Sequence, residues 1–370
     1  MRPATPLAAG APTPDYWRGR RVLLTGHTGF KGAWLALWLE RMGAAVTGFA
    51  LPDDTGGLYS AIRRWHGVTS TTGDLRDTDA VRIAVAVADP EVVIHMAAQS
   101  LVRRGYAEPA ATYATNVQGT VNLLAALTGR AALRGVVVVT SDKVYRNDGG
   151  GRAFAEDDPL GGDDPYGASK AAQDIVARAW ATGTFARDAA MDVRLATARA
   201  GNVIGGGDMA ADRLVPDLVR AAAAGAPLRL RRPRATRPWQ FVLEPLAGYL
   251  MLAEHLATAA PSPPAALNFG PDPAAERTVG WIVERAATAL AASGARAPVV
   301  EIDADPGPPE AATLAVDAGL ARRAIGWRPR LDSEAAIDWT MVWYAGHTGG
   351  GDARDLALAQ IDRYTELLAQ

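Results

Sequence analysis

Lysine is rare in this sequence, and its three positions are the first indication of chemistry. Among the 38 basic residues only Lys31, Lys143 and Lys170 are lysine, and all the others are arginine. An ammonium can lose its proton when it is desolvated, whereas a guanidinium cannot. A lysine that persists in an arginine background is therefore a candidate for an acid–base role.

Tyr166 and Lys170 form a Tyr-x-x-x-Lys spacing. Positions four apart share one face of a helix, so the two side chains can stand side by side. An ammonium beside a phenol lowers the pKa of the phenol, and the resulting phenolate can take a proton from a hydroxyl group. The spacing predicts a catalytic base, and the alternative is a surface tyrosine with a solvated lysine.

Ser141, Asp142 and Lys143 directly follow the apolar run at residues 134–140. Open α/β sheets place their ligands at the carboxyl ends of the strands, which is where these side chains should lie. A serine hydroxyl there can hydrogen-bond a substrate oxygen while Tyr166 acts on it. Asp142 and Lys143 add an acid and a base beyond what a simple oxidation requires. The alternative is an ordinary turn, because Ser-Asp favours turns.

A glycine-rich turn, G-x-x-G-x-x-G, spans residues 26–32 between a predicted strand and a predicted helix. Glycines let the backbone approach a pyrophosphate, and the helix N-terminus supplies N–H donors. The context predicts a dinucleotide site with these candidate ligands: Gly26, Thr28, Gly29, Phe30, Lys31 and Gly32. The first acids after the second strand are Asp53 and Asp54, and no arginine replaces them. The choice between NAD and NADP stays open at this point, with NAD favoured.

The elements that must position these groups alternate along the chain. Short apolar runs predict strands at residues 20–25, 46–51, 91–95, 134–140 and 193–197. Helical spacing of apolar residues predicts helices at 33–42, 113–128, 166–182, 279–292 and 356–368. Alternating strands and helices imply βαβ crossovers, so the sequence predicts an α/β fold with a Rossmann-type, doubly wound parallel sheet. A smaller, mostly helical C-terminal lobe for substrate binding follows.

The domain organisation is predicted from changes in composition. Residues 1–15 are rich in Ala, Pro and Thr and are expected to be a disordered leader. The Rossmann domain is assigned to residues 16–204, and a later segment at about 238–250 returns to it. The substrate lobe is assigned to residues 205–345, and a glycine-rich loop with a C-terminal helix to residues 346–370.

Composition excludes several classes of function. The sequence has no Cys, which rules out disulfides, thiolate-bound metals and cysteine nucleophiles. A net charge of -2 gives no electrostatic footprint for nucleic acid or an anionic membrane. The five histidines show no metal-ligand spacing, so no metal is expected. The absence of a long apolar stretch favours a cytoplasmic protein.

These motifs together resemble the extended short-chain dehydrogenase/reductase family and, within it, the nucleoside-diphosphate-sugar 4,6-dehydratases. The resemblance runs from about Tyr16 to about Trp343. Five stretches look like that group almost residue for residue, at 25–32, 95–99, 140–143, 198–208 and 237–240. The glycine turn and the Tyr/Lys pair identify only the superfamily, whereas the Ser-Asp-Lys triplet and the Arg-Pro-Trp-Gln stretch at 237–240 are much narrower signals.

The resemblance implies a mechanism. Tyr166, assisted by Lys170, would take the proton of a sugar 4-hydroxyl held by Ser141 while hydride passes from C4 to NAD. Lys143 would then remove the C5 proton, and Asp142 would donate to the departing 6-hydroxyl. Hydride returns to C6, so the reaction is that of a lyase. The implied substrate is CDP-glucose. Another NDP-hexose, a 4-epimerase reaction and a non-catalytic dinucleotide sensor remain alternatives.

The resemblance also implies binding residues and an assembly. Cofactor contacts carried over from the family, besides the glycine turn, Tyr166 and Lys170, are Asp74, Leu75, Ala97, Ala98 and Asn116. Substrate contacts carried over are Gln99, Ser100, Asn202, Arg213 and Arg237. Arginine pairs bidentately with phosphate, which suits a diphosphate. A homodimer, or a higher homo-oligomer, is implied through the helices at 113–128 and 166–182.

Overall fold

The computed structural model describes residues 7–188, 191–258, 262–272, 277–292, 294, 297–303 and 313–370. The strands are β1 (Arg21–Thr25), β2 (Ala45–Ala50), β3 (Val68–Thr72), β4 (Val92–His95), β5 (Gly135–Val139), β6 (Arg194–Ala200), β7 (Val203–Ile204), β8 (Leu228–Leu230), β9 (Thr236–Arg237), β10 (Gln240–Phe241), β11 (Ala266–Phe269), β12 (Arg277–Thr278) and β13 (Val300–Ile302). The helices are α1 (Pro14–Trp17), α2 (Phe30–Arg41), α3 (Leu58–Ala61), α4 (Thr78–Ala88), α5 (Val102–Ala107), α6 (Pro109–Tyr113), α7 (Gly119–Leu127), α8 (Pro165–Ala179), α9 (Leu214–Ala224), α10 (Leu243–Thr258), α11 (Val279–Ala292), α12 (Gly319–Ile325), α13 (Ser333–Thr348) and α14 (Ala353–Leu368).

The central sheet has seven strands in the order β11-β6-β5-β4-β1-β2-β3. Every pair in it is parallel. The strand order reverses between β1 and β4, so a crevice opens there at the carboxyl ends of the strands. The prediction of a doubly wound parallel sheet is confirmed. The sequence analysis missed β3, a mostly polar edge strand, and β11, a run of four residues.

Alternate residues of the strands pack on opposite faces of the sheet. Leu24 and Val137 join the core formed with α2, α10, α13 and α14. Leu23 and Val136 join the core formed with α4, α7 and α8. Strands buried on both faces read as continuous apolar runs, which is why they were visible in the sequence.

The helix predicted at residues 113–128 is interrupted. Helix α6 passes into a π-helical turn at Ala114–Gln118, and α7 continues from it. A second π-helical turn, Trp180–Thr184, extends α8. Single π turns inside α-helices are frequent at functional sites. The first one carries Asn116, whose contacts are described below.

The N-terminal leader is shorter than predicted. Helix α1 begins at Pro14, and Thr13 and Trp17 are buried. The backbone N–H and hydroxyl of Thr13 and the indole N–H of Trp17 donate to Glu254 of α10, at 2.7, 3.0 and 2.6 Å. The prediction of disorder up to residue 15 is therefore wrong for Thr13 to Asp15, because a buried carboxyl on a distant helix binds the segment. The first six residues lie outside the described residues.

The chain crosses between the sheet and the second lobe more than once. Helix α10 packs against β4, β5 and β6, and β11 pairs with β6 in the central sheet. Helix α10 begins in the segment at about 238–250 that was predicted to return to the Rossmann domain, whereas β11 falls in the range assigned to the substrate lobe. The remaining elements of that range include α9, α11 and the two-stranded pairs β8/β13 and β9/β12. Across the described residues, no helix is both long and apolar enough to cross a membrane.

Candidate active site

The turn after β1 lies directly against the loop after β4. Gly26 has φ +78°, and a Cβ atom built there would lie 2.7 Å from the backbone N of Ala97. A Cβ at Gly32 would lie 1.9 Å from the carbonyl oxygen of Gly26. Thr25 Oγ1 accepts from the backbone N–H groups of Met96 and Ala97, both at 3.2 Å. The two glycines are required for this close approach, and Ala98 follows in the same loop.

The N-terminus of α2 is open. Its N-cap residue is Gly29, with no side-chain cap and no acid in the first turn, which begins at Phe30. Helices α4 and α8 are instead capped by Asp77 and Asp164. The first N–H groups of a helix have no partners within the helix and attract anions. The residues present at this turn therefore fit a diphosphate such as that of a dinucleotide.

The predicted cofactor residues Thr28, Asp74 and Leu75 lie in or beside the loops that follow β1, β2 and β3. Thr28 Oγ1 donates to the carbonyl of Leu51 at 2.8 Å. Asp74 follows β3 and is bound by the guanidinium of Arg76, which lowers the pKa of Asp74. Leu75 is buried, and its carbonyl accepts from Asn122 Nδ2 at 2.8 Å.

Asp53 does not reach toward the glycine turn. Its carboxylate accepts from the backbone N–H and hydroxyl of Thr55, at 3.0 and 2.7 Å, and from the backbone N–H of Ser60 at 3.2 Å. These contacts close its own surface loop.

Ser141 and Asp142 begin a short 3-10 turn at the end of β5. Ser141 Oγ donates to Asp142 Oδ1 at 2.9 Å and accepts from the backbone N–H of Lys143 at 3.2 Å. The other oxygen, Asp142 Oδ2, is buried without a hydrogen-bond partner. A Cβ at Gly201 would lie 2.9 Å from that oxygen, so only glycine leaves room for it.

Burial raises the pKa of Asp142, and the charges of Lys143 and Arg237 and the hydrogen bond from Ser141 oppose the rise. The net direction is upward, so desolvation outweighs these opposing contributions. Asp142 thus holds a proton more readily than an exposed aspartic acid does, as a donor to a leaving hydroxyl must.

Tyr166 lies in the first turn of α8, and burial raises its pKa to about 12, although its hydrogen bond with Ser141 lowers it. The sequence predicted the opposite direction. The difference arises because Lys170 Nζ is bound elsewhere, to the Val139 carbonyl at 3.0 Å and to Gln173 Oε1 at 2.7 Å. The phenol is thus desolvated without a direct ammonium partner.

Lys170 is itself strongly desolvated. Burial lowers its pKa to about 7, the charge of Lys31 lowers it further, and Asp174 raises it. A lysine in this range exchanges a proton near neutral pH. Lys143, in contrast, is only half-buried at the start of the loop after β5.

Lys31 contacts Tyr249 of α10. Its Nζ lies 3.4 Å from Tyr249 Oη and 5.5 Å from the centre of that ring, and the place of its charge near a diphosphate stays a prediction. Burial lowers the pKa of Lys31 to about 8, the charge of Arg213 lowers it, and that of Asp142 raises it. The charge of Lys31 also acts on Lys170, so these two lysines lie close together.

The loop after β4 is tied to α8 by Asn116. Asn116 Oδ1 accepts from the Gln99 N–H at 2.8 Å, and Nδ2 donates to the Gln99 carbonyl at 3.0 Å and to Ser169 Oγ at 2.8 Å. The side-chain amide of Gln99 is occupied within the loop by Thr112 Oγ1 at 2.9 Å and by the N–H of Leu101 at 2.6 Å. These contacts give Asn116 and Gln99 a supporting place in the site.

The three predicted diphosphate ligands have different contacts in the structure. Arg213 donates to Asp208 at 2.8 Å and to Ser100 Oγ at 3.1 Å, which brings two predicted substrate residues together. Arg237 is buried, and its charge acts on Asp142. Asn202 follows β6, and its carbonyl accepts from the N–H of Gln240 at 3.1 Å.

Sequence reasoning missed several groups that shape the site: Gln173, Asp174, Arg199 and Tyr249. Arg199 and Asp174 form a fully buried pair, with Nε and Nη2 donating at 2.8 and 2.7 Å. Arg199 lies in one of the family-like stretches, which is a signal that was present but not used. Gln173 and Tyr249 carry no motif. Within the described ranges, no cluster of His, Cys, Asp or Glu could hold a metal ion.

A parallel sheet with a crevice at its switch point, a glycine turn and an uncapped helix N-terminus define a dinucleotide-binding α/β protein. The NAD dependent epimerase/dehydratase family model matches residues 22–269. The chain is 40% identical over 353 residues to the CDP-glucose 4,6-dehydratase of Salmonella typhimurium, covering 95% of this chain and 97% of that protein. It is 32% identical over 170 residues to a probable dTDP-glucose 4,6-dehydratase of Sinorhizobium fredii, covering 43% and 49%.

The fold has solved counterparts. The dTDP-glucose 4,6-dehydratase of Bacillus anthracis str. Ames, in complex with NAD, has a TM-score of 0.72 at 22% identity, covering 90% of this chain and 99% of that one. At this identity the likeness shows the fold. The chain belongs to the NAD dependent epimerase/dehydratase family, which confirms the family resemblance seen in the sequence.

Proposed function

We propose that this protein is an NAD-dependent sugar-nucleotide 4,6-dehydratase that converts CDP-D-glucose to CDP-4-keto-6-deoxy-D-glucose. The observation that carries the proposal is the 40% identity over 95% of the chain to a CDP-glucose 4,6-dehydratase. Support comes from the site, where an acid and a lysine follow the serine at the end of β5 and adjoin the Tyr166 helix.

The first half-reaction is oxidation at C4. Ser141 holds the 4-hydroxyl oxygen, and Tyr166 takes its proton. Burial raises the pKa of the Tyr166 phenol to about 12, and its hydrogen bond with Ser141 offsets part of that rise. Bound NAD would supply the hydride acceptor for C4 and the hydride donor for C6. The open N-terminus of α2 and the turn at 26–32 bind its diphosphate, and Lys170 supports its position.

The second half-reaction is loss of water. The 4-ketone acidifies the C5 hydrogen, and Lys143 removes that proton. Asp142 donates a proton to the 6-hydroxyl, which leaves as water and gives a C5–C6 double bond. The raised pKa of Asp142 favours the protonated form that this donation needs. Hydride then adds to C6 and a solvent proton to C5.

The substrate diphosphate is assigned to the basic side chains around the crevice. Arg213 contacts Ser100, and its charge acts on Tyr166, while the charge of Arg237 acts on Asp142, so both guanidinium groups lie near proposed catalytic residues. Guanidinium groups suit bidentate phosphate contacts. Asn202 joins them as a polar ligand at the end of β6.

A 4-epimerase, or a dehydratase for another NDP-hexose, is the second candidate. An epimerase needs Tyr166 and Ser141 but has no use for Asp142 with Lys143. The partial match to a probable dTDP-glucose 4,6-dehydratase supports the other-nucleotide version. An epimerase differs from the proposed enzyme in the mass of its product, and a dehydratase for another NDP-hexose differs in the nucleotide that it accepts.

The deciding experiment is turnover in D₂O with NAD and CDP-glucose, followed by mass spectrometry, with dTDP-, GDP- and UDP-glucose in parallel. We expect loss of one water and gain of one deuterium at C5 with CDP-glucose alone. Water loss with a different nucleotide would reassign the substrate. No water loss with any nucleotide, in protein that binds NAD, would contradict the dehydratase proposal.

We also propose a homodimer through α6, α7 and α8. Tyr113 and Ile175, on α6 and α8, are 39% and 56% exposed, which leaves apolar surface on these packed helices. Light scattering coupled to size-exclusion chromatography checks the mass. A monomer at micromolar concentration would contradict the assembly but not the activity.

A further inference from the structure

Two acceptors within the protein bind the ammonium group of Lys170. Its Nζ donates to the carbonyl oxygen of Val139, at the end of β5, and to Oε1 of Gln173, one turn further along α8. Lys170, Gln173 and Val139 are all buried, so water does not compete for these hydrogen bonds. An ammonium has three donors. Two of them are used by the protein, and one remains for a ligand.

Gln173 cannot turn away, because its other end is also bound. Gln173 Nε2 donates to Thr120 Oγ1 at 2.8 Å, and Thr120 donates to the carbonyl of Asn116 at 2.7 Å. His95 Nε2 lies 3.0 Å from the same hydroxyl. Since the single proton of Thr120 goes to Asn116, the hydroxyl accepts from both Gln173 and His95. This fixes the orientation of the Gln173 amide, with Oε1 toward Lys170.

The chain of hydrogen bonds continues to the glycine turn. His95 Nδ1 lies 2.7 Å from Thr25 Oγ1, whose oxygen accepts from the backbone of Met96 and Ala97. Burial lowers the pKa of His95 to about 3, and the charge of Lys170 lowers it as well, so the ring is neutral. A neutral ring with its proton on Nε2 accepts from Thr25 and donates to Thr120, so every bond in the chain has one donor and one acceptor.

We propose that Gln173 is a positioning residue for Lys170: with the Val139 carbonyl it takes two of the three ammonium donors, fixes Nζ within the core and leaves a single donor for the bound ligands. The role deepens the proposed function and rests on it for the identity of the reaction. Gln173 touches neither substrate nor reacting atoms and acts through Lys170. The groups that face Lys170 are Lys31 from α2, Asp174 from α8 and His95 from β4.

The scarcity of lysine makes a direct test practical. Protein grown with lysine labelled by ¹³C at Cε gives three side-chain signals, one for each lysine, and Lys31→Arg and Lys143→Arg identify the signal of Lys170. The chemical shift is followed against pH. We expect Gln173→Met to lower the titration midpoint of Lys170 by about one pH unit, since an acceptor that favours the ammonium is lost. Gln173→Glu should raise it by at least as much.

Turnover gives the second readout. Gln173→Met should lower kcat about tenfold, as for a displaced catalytic group, with KM for the sugar nucleotide within about twofold. Gln173→Glu keeps the acceptor and should restore most of kcat, with the pH profile displaced to higher pH. A lower Tm without a displaced Lys170 midpoint would show a structural role only and would overturn the proposal.

Gln360→Met is the matched control. Gln360 is a buried glutamine on α14 that donates to the Trp339 carbonyl at 2.7 Å, outside the site. It should change Tm but not the Lys170 midpoint. If Gln173→Met fails to fold, Gln173→Glu decides, and an unchanged midpoint in that variant overturns the proposal. The NMR titration does not depend on turnover, so a wild-type protein without dehydratase activity would refute the proposed function and leave the Gln173 result standing.

Discussion

Asp142 and Asp174 are both buried, 3% and 0% exposed, but the structure holds them in different ways. Asp174 receives the guanidinium of Arg199 on both carboxylate oxygens. Asp142 receives one hydroxyl, from Ser141, and its second oxygen has no hydrogen-bond partner. A fully paired carboxylate leaves no buried acceptor unsatisfied, and breaking its pair is costly, whereas a half-satisfied carboxyl costs stability and favours its protonated form. Asp174 therefore supports the structure of the site, whereas Asp142 suits the proposed role of proton donor.

The largest effect is expected on activity, from Asp142→Asn. Loss of the proton donor should lower the rate of water elimination roughly 10²- to 10⁴-fold, while oxidation at C4 continues. NADH absorbance should then accumulate with CDP-glucose, and product mass should not change by one water. Stability should stay the same or rise, since a half-satisfied acid is replaced by an amide. A variant that dehydrates at the wild-type rate would remove Asp142 from the mechanism.

The next effect is on stability, from Arg199→Met. Removing one partner of a buried pair leaves an uncompensated charge and should cost about 3–5 kcal/mol in the free energy of unfolding. Urea denaturation measures it. The matched double variant, Arg199→Met with Asp174→Asn, should recover part of the loss because no buried charge is left unpaired. A cost below about 1 kcal/mol for the single variant would refute the contrast with Asp142.

A third buried carboxyl, Glu254, extends the comparison, because only neutral donors from Thr13 and Trp17 bind it. Burial raises its pKa from 4.5 to about 7. The neutral form is thus favoured in the folded state. The contribution of protonated Glu254 to the free energy of unfolding is therefore fully present below about pH 4.5 and is lost as the pH rises through about 7. Relative to Glu254→Gln, wild type should lose about 3 kcal/mol of stability over that window. A pH-independent difference in urea denaturation between the two proteins would contradict this sign.

The smallest effect is expected from Thr140→Val, which removes a third contact of Asp174. Thr140 Oγ1 donates to Asp174 Oδ2 at 3.4 Å, a long bond beside the two short ones from Arg199. The loss should be below about 1 kcal/mol, because the carboxylate stays satisfied. Thermal denaturation of the two proteins side by side measures it. A cost equal to that of Arg199→Met would show that pairing by arginine is not what distinguishes Asp174.

Much of the fold could be predicted from local patterns. The apolar runs that became β1, β4 and β5 are buried on both faces, so periodicity did not have to decide which face was inside. Strand β3 was missed because an edge strand needs few apolar residues, and β11 because four residues carry little pattern. The leader was misjudged for the same kind of reason, since its order comes from Glu254, 241 residues away.

The candidate site divides in the same way. Spacing within one element placed Tyr166 and Lys170 on one helix, and the order of strand, turn and helix placed the glycine turn. Spacing could not show that Lys170 binds Gln173 and Val139 rather than the phenol, nor that the pKa of Tyr166 is raised. Those outcomes depend on desolvation, which contacts between elements far apart in the chain decide.

The sequence by itself determined the class of fold, the position of the dinucleotide turn and the identity of the five proposed catalytic residues, because each depends on neighbours within a few positions along the chain. Only the tertiary structure decided that Lys31 meets Tyr249, that Asp142 keeps a free oxygen beside Gly201 and that Asp174 is paired with Arg199. These contacts join elements far apart in sequence, and the protonation states that follow from them are set by burial, which no local pattern records.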